Sequence, residues 1–211
     1  MEIDVENNRG SVPEVLYRRF RRKEHAIQLL SGQLLMRNLT YYQEIQDPTR
    51  RDSCEGVVAV KTAGLPFSAI SKSGGPLLKG TLTKNIEAEL KNKSKLYISC
   101  FSKVLDVRQK TWGPWLVKIH KPEFVLRSLA ASLSEEYAGF SLIWNSVEYK
   151  DHLTFSEINS GTEMWRSKRH SYAHEAEFRI CLVSEVGTSA DEVFKLTFPS
   201  FSKSCELVHD R

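Results

Sequence analysis

The sequence lacks the features that mark several classes of protein. Its four cysteines, Cys54, Cys100, Cys181 and Cys205, form no CxxC pair and have no close histidine, so we expect no zinc site. No apolar run approaches the roughly 18 residues that a membrane span requires. The acidic and polar start, MEIDVENNRG, differs from a signal peptide. We therefore expect a cytoplasmic protein whose cysteines are free thiols in a reducing compartment.

The sequence also lacks internal repeats and any composition shift that would mark a domain boundary. Its 211 residues, 41% hydrophobic and 27% charged, predict a single globular domain with a sizeable core. We expect residues 1–12 to form a loose N-terminal arm and residues 64–80 to form a flexible loop. The net charge of +4 permits an acidic partner such as nucleic acid without requiring one.

Hydrophobic periodicity predicts more strands than helices, without regular alternation of the two. Helices are predicted at 23–30 and from Pro122 to near Gly139, a short helix is expected at 83–93, and residues 160–171 read as helix or loop. Strands are predicted at 15–20, 33–39, 96–102, 115–120, 140–149, 193–198 and 204–209. The expected fold class is α+β, a mixed and largely antiparallel β-sheet core with flanking helices.

The most informative segment runs from Tyr172 to Val183, YAHEAEFRICLV. Read as a strand, it places Glu175, Glu177 and Arg179 on one face and apolar residues on the other. Two carboxylates at this spacing repel each other unless cations or a substrate satisfy them. The local sequence is equally consistent with a surface ion-pair ladder and with a functional carboxylate pair.

Two other segments carry candidate binding groups. Arg18 and Arg19 follow Tyr17 inside the apolar pattern of the first strand, and a guanidinium suits a phosphate or diphosphate. A solvated basic face is the alternative interpretation. Ser102 ends the strand at 96–102, and without a GxSxG elbow we expect it to form hydrogen bonds rather than to attack a substrate.

Taken in chain order, these segments resemble the Arg-Ser-Glu arrangement of the ADP-ribosyltransferase superfamily. The chain also resembles a widespread bacterial and phage family of uncharacterised proteins. The second resemblance rests on LYRRF, on Asp52 to Gly56 (DSCEG), on CFS followed by Trp112-Gly113, and on Tyr172 to Arg179 (YAHEAEFR). It spans about residues 15–183.

The resemblance implies an ADP-ribosyltransferase-like fold and transfer of ADP-ribose from NAD, without a metal. It makes Glu177 the catalytic carboxylate, which holds the ribose 2′-hydroxyl and stabilises an oxocarbenium-like charge. Glu175 would orient the incoming nucleophile or accept its proton. The match places the diphosphate or adenosine-ribose role on Arg18, and the adjacent Arg19 competes for it. Ser102 would hold the nicotinamide ribose, and Tyr17 with Tyr41 or Tyr42 would stack on the rings.

The basic tracts predict the acceptor. Arg166, Lys168 and Arg169 lie between Trp165 and Tyr172 in the sequence. Cations with neighbouring aromatics favour binding to single-stranded nucleic acid. RNA is therefore the favoured acceptor, a protein acceptor stays open, and a merely solvated surface is the alternative. The class implies an intracellular bacterial or phage toxin or defence effector with an antitoxin partner, and we expect no membrane partner.

Two other functions are consistent with the same residues. The protein could be a non-catalytic nucleic-acid-binding module in which the Glu–Arg strand is only an ion-pair ladder. It could also be a metal-dependent nuclease, in which Asp47, Asp52 and Glu55 join the ExE pair around Mg²⁺.

Overall fold

The computed structural model describes residues 9–45, 56–69, 78–90, 93–136, 139–154, 157, 164–185 and 192–208. These residues form a large antiparallel sheet with few helices, which confirms the α+β class. The strands are β1 (Val15–Phe20), β2 (Gln33–Asn38), β3 (Val57–Val60), β4 (Pro66–Ala69), β5 (Leu78–Thr81), β6 (Ile86–Glu89), β7 (Leu96–Ser102), β8 (Trp115–His120), β9 (Phe140–Ser146), β10 (Glu148–Tyr149), β11 (Ser167–Lys168), β12 (Glu177–Ser184), β13 (Val193–Thr197) and β14 (Cys205–Val208).

The described residues contain fewer α-helices than strands. The α-helices are α1 (Lys23–Leu30), α2 (Leu39–Glu44), α3 (Pro122–Glu136) and α4 (Pro199–Ser202), and short 3-10 helices span Lys93–Lys95, Val107–Trp112, Met164–Arg166 and His170–Glu175. Within the described residues, no helix has the length and apolar composition needed to cross a membrane. Of the cysteines, Cys100, Cys181 and Cys205 are free thiols, and Cys54 lies outside the described residues.

Strand β7 organises the main sheet. One of its edges pairs along its whole length with β12, and β12 pairs in turn with β9. The other edge is shared by β1 and β2, and the path across the sheet is β13-β2-β7-β1-β8-β14. The nearly continuous apolar composition of β7, LYISCFS, fits a strand that is covered on both faces.

The sheet splits where β1 and β2 share the edge of β7. Strand β2 pairs with the start of β7, at Ile98 and Tyr97, whereas β1 pairs with it only at Ser102. The guanidinium of Arg18 lies in this split, where it donates to the Ser99 hydroxyl. The same group stacks over the rings of Phe20 and Phe101, at 5.2 and 5.1 Å. Arg18 therefore fills the split on one face of the sheet.

The two faces of the sheet carry separate apolar cores. One face packs against α1 and α3 through residues such as Leu16, Phe101 and Phe178, and we call it the helix face. The other face packs Ile98 and Cys181 against Leu39, Leu90, Leu153 and Trp165, and we call it the loop face. Because side chains alternate along each strand, a residue's strand position decides to which face it belongs.

Several local predictions differ from the structure. Residues 86–89 form strand β6 instead of a helix, because they pair with β3 and the Ile86 N–H donates to Thr62 Oγ1. The expected loop at 64–80 contains the antiparallel pair of β4 and β5, with residues 70–77 outside the described part. Within the expected N-terminal arm, Gly10 is hydrogen-bonded to Trp144 of β9. Tertiary pairing overrides local propensity in each case.

We predict that Gly113→Ala destabilises the protein by about 3 kcal/mol or more. Gly113 has φ +140°, and an added Cβ would lie 2.2 Å from the Phe20 carbonyl oxygen. Gly64→Ala is the matched control, because Gly64 has φ +84° with open space around the position of a Cβ. It should cost only about 1 kcal/mol from backbone strain. Urea denaturation measures both, and equal losses would contradict the close approach of Gly113 to β1.

Candidate functional site

Glu175 and Glu177 converge through a turn and not through strand alternation. Glu175 ends the 3-10 helix His170–Glu175, and Ala176 adopts a left-handed conformation with φ 43° before β12 begins. The prediction that Glu175 lies on the strand is therefore wrong, because the left-handed residue redirects the chain. Lys168 Nζ joins the carboxylates, at 2.6 Å from Glu175 Oε2 and 3.4 Å from Glu177 Oε2.

The carboxylate of Glu177 is held by a fully buried arginine. Glu177 is 4% exposed and Arg179 is 0% exposed. Arg179 Nε donates to Glu177 Oε1 at 2.7 Å, and Arg179 Nη1 donates to the Trp165 carbonyl at 2.5 Å. The Cys100 side chain also helps to lower the pKa of the Glu177 carboxyl. Burial of a charged pair is tolerated only when hydrogen bonds satisfy both partners, and here they do.

The backbone of Glu177 is fixed as well. Its N–H donates to the Tyr149 hydroxyl oxygen at 2.7 Å, and its carbonyl accepts from the Val147 N–H at 2.9 Å. Burial and the neighbouring Glu177 charge raise the pKa of Tyr149. The phenol therefore stays protonated near neutral pH and keeps a hydroxyl proton beside the carboxylates.

The two carboxylates differ in proton affinity. Burial opposes ionisation of Glu177, but the charges of Arg179 and Lys168, with hydrogen bonds from Arg179 and Cys100, hold its pKa well below the ordinary value. Burial raises the pKa of Glu175 to about 7, reinforced by Glu177 and opposed by Lys168. Such a pair consists of a permanent anion beside a group that exchanges a proton near neutral pH.

Strand register places three predicted site residues in one row. Tyr17 of β1 pairs with Ser102 of β7, and Ser102 pairs with Glu177 of β12. Directly opposed residues on antiparallel strands point to the same face, with Cβ atoms about 5 Å apart. Tyr17, Ser102 and Glu177 are therefore neighbours on the loop face. Sequence positions far apart in the chain meet at this end of the sheet.

The Ser102 side chain supports the turn that carries Glu175. Its hydroxyl donates to the Glu175 carbonyl at 2.6 Å, and Gln109 Nε2 donates to the His174 and Glu175 carbonyls, at 3.2 Å each. This geometry agrees with the expectation that Ser102 forms hydrogen bonds. Sequence reasoning missed Gln109 and Tyr149, because neither lies in a motif or a charge pattern that could have indicated it.

The two candidate arginines lie on opposite faces. Arg19 shares the loop face with Tyr17, and its Nη1 donates to the Gly113 carbonyl at 3.5 Å. Arg18 lies on the helix face with its guanidinium at Ser99. The structure therefore brings Arg19, and not Arg18, to the face that carries Glu177.

The candidate ring-stacking tyrosines lie elsewhere on the loop face. Tyr41 in α2 stacks on the Arg37 guanidinium at 4.5 Å, and its ring meets that of Tyr42 edge to face at 5.4 Å. Arg37 pairs with Ile98, four residues along β7 from Ser102. That offset corresponds to roughly 13 Å at the rise of a strand. Tyr41 therefore lies over an arginine whose strand partner is about four residues from the row.

The predicted nucleic-acid-binding residues have different surroundings. Lys168 is committed to Glu175 and Glu177 and lies 4.6 Å from the centre of the Tyr172 ring. Arg166 pairs with Glu148 at 3.1 Å. Arg169 is exposed. Two of the three cations are thus engaged with carboxylates, and Arg169 is the one presented to solvent.

The described residues contain no cluster of three or more His, Cys, Asp or Glu side chains suited to a metal. Asp47, Asp52 and Glu55, the other carboxylates of the nuclease hypothesis, lie outside the described residues. Lys168 and Arg179 already neutralise Glu175 and Glu177, so a cation bound there would have to compete with them.

Comparison with known proteins gave no match to this chain, whether among family models, curated proteins or solved structures. The resemblance to ADP-ribosyltransferases therefore stays a prediction that rests on the residues named above.

We predict that Glu177→Gln destabilises the protein by about 3–5 kcal/mol, because it leaves the buried Arg179 charge without its counter-ion. Glu87→Gln, which changes an exposed carboxylate on β6, is the control and should change stability by less than about 0.5 kcal/mol. Urea denaturation at pH 7 compares them. Equal stability of the two variants would show that Glu177 does not stabilise Arg179.

The raised pKa of Glu175 predicts a specific pH dependence. Between about pH 4.5 and 7 the folded protein holds a proton on Glu175 that the unfolded chain has lost. Stability from this group is thus complete below pH 4.5 and declines, by about 3 kcal/mol, as the pH rises to 7. Unfolding free energies across this window should show the decline in the wild type and lack it in Glu175→Gln. If the unfolding free energies of the two proteins change with pH in the same way, Glu175 is not the source of the pH dependence.

Proposed function

We propose that this protein is an NAD-dependent ADP-ribosyltransferase with Glu177 as its catalytic carboxylate. The observation that supports it best is the row of Tyr17, Ser102 and Glu177 across β1, β7 and β12. The three segments on which the sequence resemblance rests meet in that row. The split of the sheet between β1 and β2 lies beside it.

The proposed reaction breaks the bond between C1′ of the nicotinamide ribose and the ring nitrogen. Nicotinamide leaves with the electron pair, and the acceptor's lone pair forms the new bond to C1′. Glu177 suits this chemistry because its charge is fixed, and a fixed anion stabilises the oxocarbenium-like transition state. Glu175 would accept the acceptor's proton, since a pKa near 7 provides both its protonated and ionised forms.

The placement of the arginines favours one of the two for NAD binding. In this proposal Arg19 pairs with the diphosphate, because it shares the loop face with Glu177. The guanidinium of Arg18 is already surrounded by Ser99, Phe20 and Phe101 on the helix face. Arg18 then has a structural role, in which it packs between β1 and β7 at the split of the sheet.

Substrate access requires a small rearrangement. Glu177 is only 4% exposed, whereas the side chain of Glu175 is 17% exposed. Lys168 lies closer to Glu175 than to Glu177, at 2.6 against 3.4 Å. A ribose 2′-hydroxyl would therefore replace the weaker Lys168 contact at Glu177 and leave the Arg179 pair intact.

We propose that the acceptor is a nucleic acid, with RNA favoured over DNA. A protein acceptor is the alternative, and the assay described below distinguishes the two. The support is the exposed Arg169 next to the site and the net charge of +4. An intracellular toxin or defence effector held in check by an antitoxin is the biological role that this chemistry would suit.

Nicotinamide release from NAD tests the proposal. Wild-type protein, incubated with labelled NAD and separate RNA, DNA and protein pools, should release nicotinamide and label one pool, with or without EDTA. Glu175→Gln should reduce the rate by about 10²-fold or more, because it removes the base while keeping a neutral side chain. Glu87→Gln should keep wild-type activity.

The outcomes separate the competing functions. Release of nicotinamide at equal rates in wild type and Glu175→Gln would remove Glu175 from the mechanism. RNA or DNA degradation that EDTA abolishes would identify a metal-dependent nuclease. Nucleic-acid binding without NAD cleavage would identify the non-catalytic module.

A further inference from the structure

The segment from Ser102 to Gln109 contacts three consecutive carbonyl groups of the turn before β12. Gln109 donates to the His174 and Glu175 carbonyls, and Ser102 donates to the Glu175 carbonyl as well. The Lys103 N–H donates to the Ala176 carbonyl at 2.9 Å. The backbone that carries the Glu175 side chain is therefore held from one side by a single stretch of chain.

Gln109 has an unusual position in that stretch. It is 1% exposed, whereas Val107 in the same 3-10 helix is 75% exposed. Apolar burial alone would favour the opposite arrangement, with the valine inside and the glutamine in solvent. A buried amide is tolerated when its hydrogen bonds are made, and both turn carbonyls provide acceptors for Gln109. The Gln109 amide is therefore buried because it donates hydrogen bonds to the turn that carries Glu175.

The other end of the stretch is tied to β1. Gly113 packs against the Phe20 carbonyl so closely that a Cβ would lie 2.2 Å from its oxygen. The Gly113 carbonyl accepts from Arg19 Nη1. Residues 102–113 thus connect the strand of Arg19 with the turn of Glu175, which gives the Trp112-Gly113 motif a structural purpose.

We propose that Gln109 is a positioning residue, which sets the place of the Glu175 carboxylate relative to Glu177 and Lys168. Its two hydrogen bonds hold the turn with the Glu175 side chain largely buried. The inference rests on the proposed function only for its consequence in turnover, because the position of Glu175 is measurable without NAD.

Loss of the Gln109 amide has a defined physical consequence. The His174 and Glu175 carbonyls would lose their hydrogen-bond donor and would form hydrogen bonds with water instead. The turn would then move outward together with the Glu175 carboxyl. The charged groups that face this carboxyl are Lys168, Glu177 and Arg179, and the titratable Tyr149 phenol interacts with it as well. Greater hydration and a longer distance from Glu177 both favour the ionised form, and Lys168 on its flexible stem follows the carboxylate. The proton affinity of Glu175 should therefore fall.

Carboxyl ¹³C NMR titration of Glu175 tests this, with each variant's unfolding free energy measured in parallel. Gln109→Met, which keeps the side-chain length and removes the amide, should lower the pKa of Glu175 from about 7 by about one pH unit or more. Gln109→Asn, which keeps a shorter amide, should lie between Gln109→Met and the wild type. If Gln109→Met does not fold, the pKa of Glu175 in Gln109→Asn is compared with that in the wild type. A lower pKa in Gln109→Asn supports the proposal, and an equal pKa contradicts it.

Thr62→Val is the matched control. Thr62 is fully buried, donates to the Lys84 carbonyl and accepts from the Ile86 N–H, so its loss should destabilise other segments and leave Glu175 titrating near pH 7. A destabilised Gln109 variant with an unchanged Glu175 titration would overturn the proposal and leave Gln109 a purely structural residue. A shifted titration in a protein that does not cleave NAD would support the positioning role and reject the transferase.

Discussion

The buried ion pair between Glu177 and Arg179 is the interaction on which the rest of the site depends. A charged guanidinium in the interior costs several kcal/mol unless a carboxylate and further acceptors satisfy it. Glu177 and the Trp165 carbonyl satisfy Arg179, and the same pair ties β12 to the segment that precedes Lys168. The ionised state of Glu177 therefore follows from the way the fold is assembled.

The proton on Glu175 follows first from burial of its carboxyl and then from that fixed anion. With Glu177 held ionised, a second carboxylate in the same low-dielectric environment ionises reluctantly, and Lys168 only partly offsets this. The left-handed Ala176 makes the approach possible, since it turns Glu175 back toward the start of β12. Two identical side chains thus acquire different states from their surroundings, which is the arrangement that acid–base chemistry at one site requires.

Much of the fold was predictable because it is encoded locally. The apolar patterns of β1, β7, β8 and β12 are strong enough to define strands without tertiary information. Residues 86–89 were misassigned because their weak pattern becomes a strand only through pairing with β3. The extent of β12 was overestimated for a related reason, since hydrogen bonds from Ser102 and Gln109 hold residues 174–175 outside the strand.

The sequence by itself determined strands with a strong apolar pattern, such as β1, β7 and β8. It also placed Glu177 and Arg179 on one face, because a period of two needs no tertiary information. Only the tertiary structure decided that Arg19 and not Arg18 shares that face with Glu177 across the sheet, since strand register depends on pairing between distant segments. It also decided that Lys168 contacts the carboxylates and that Tyr149 and Gln109 contact the backbone that carries them, through bonds that span 9, 28 and 66 positions of the chain. Such contacts form only when the strands and turns assemble around the buried charge.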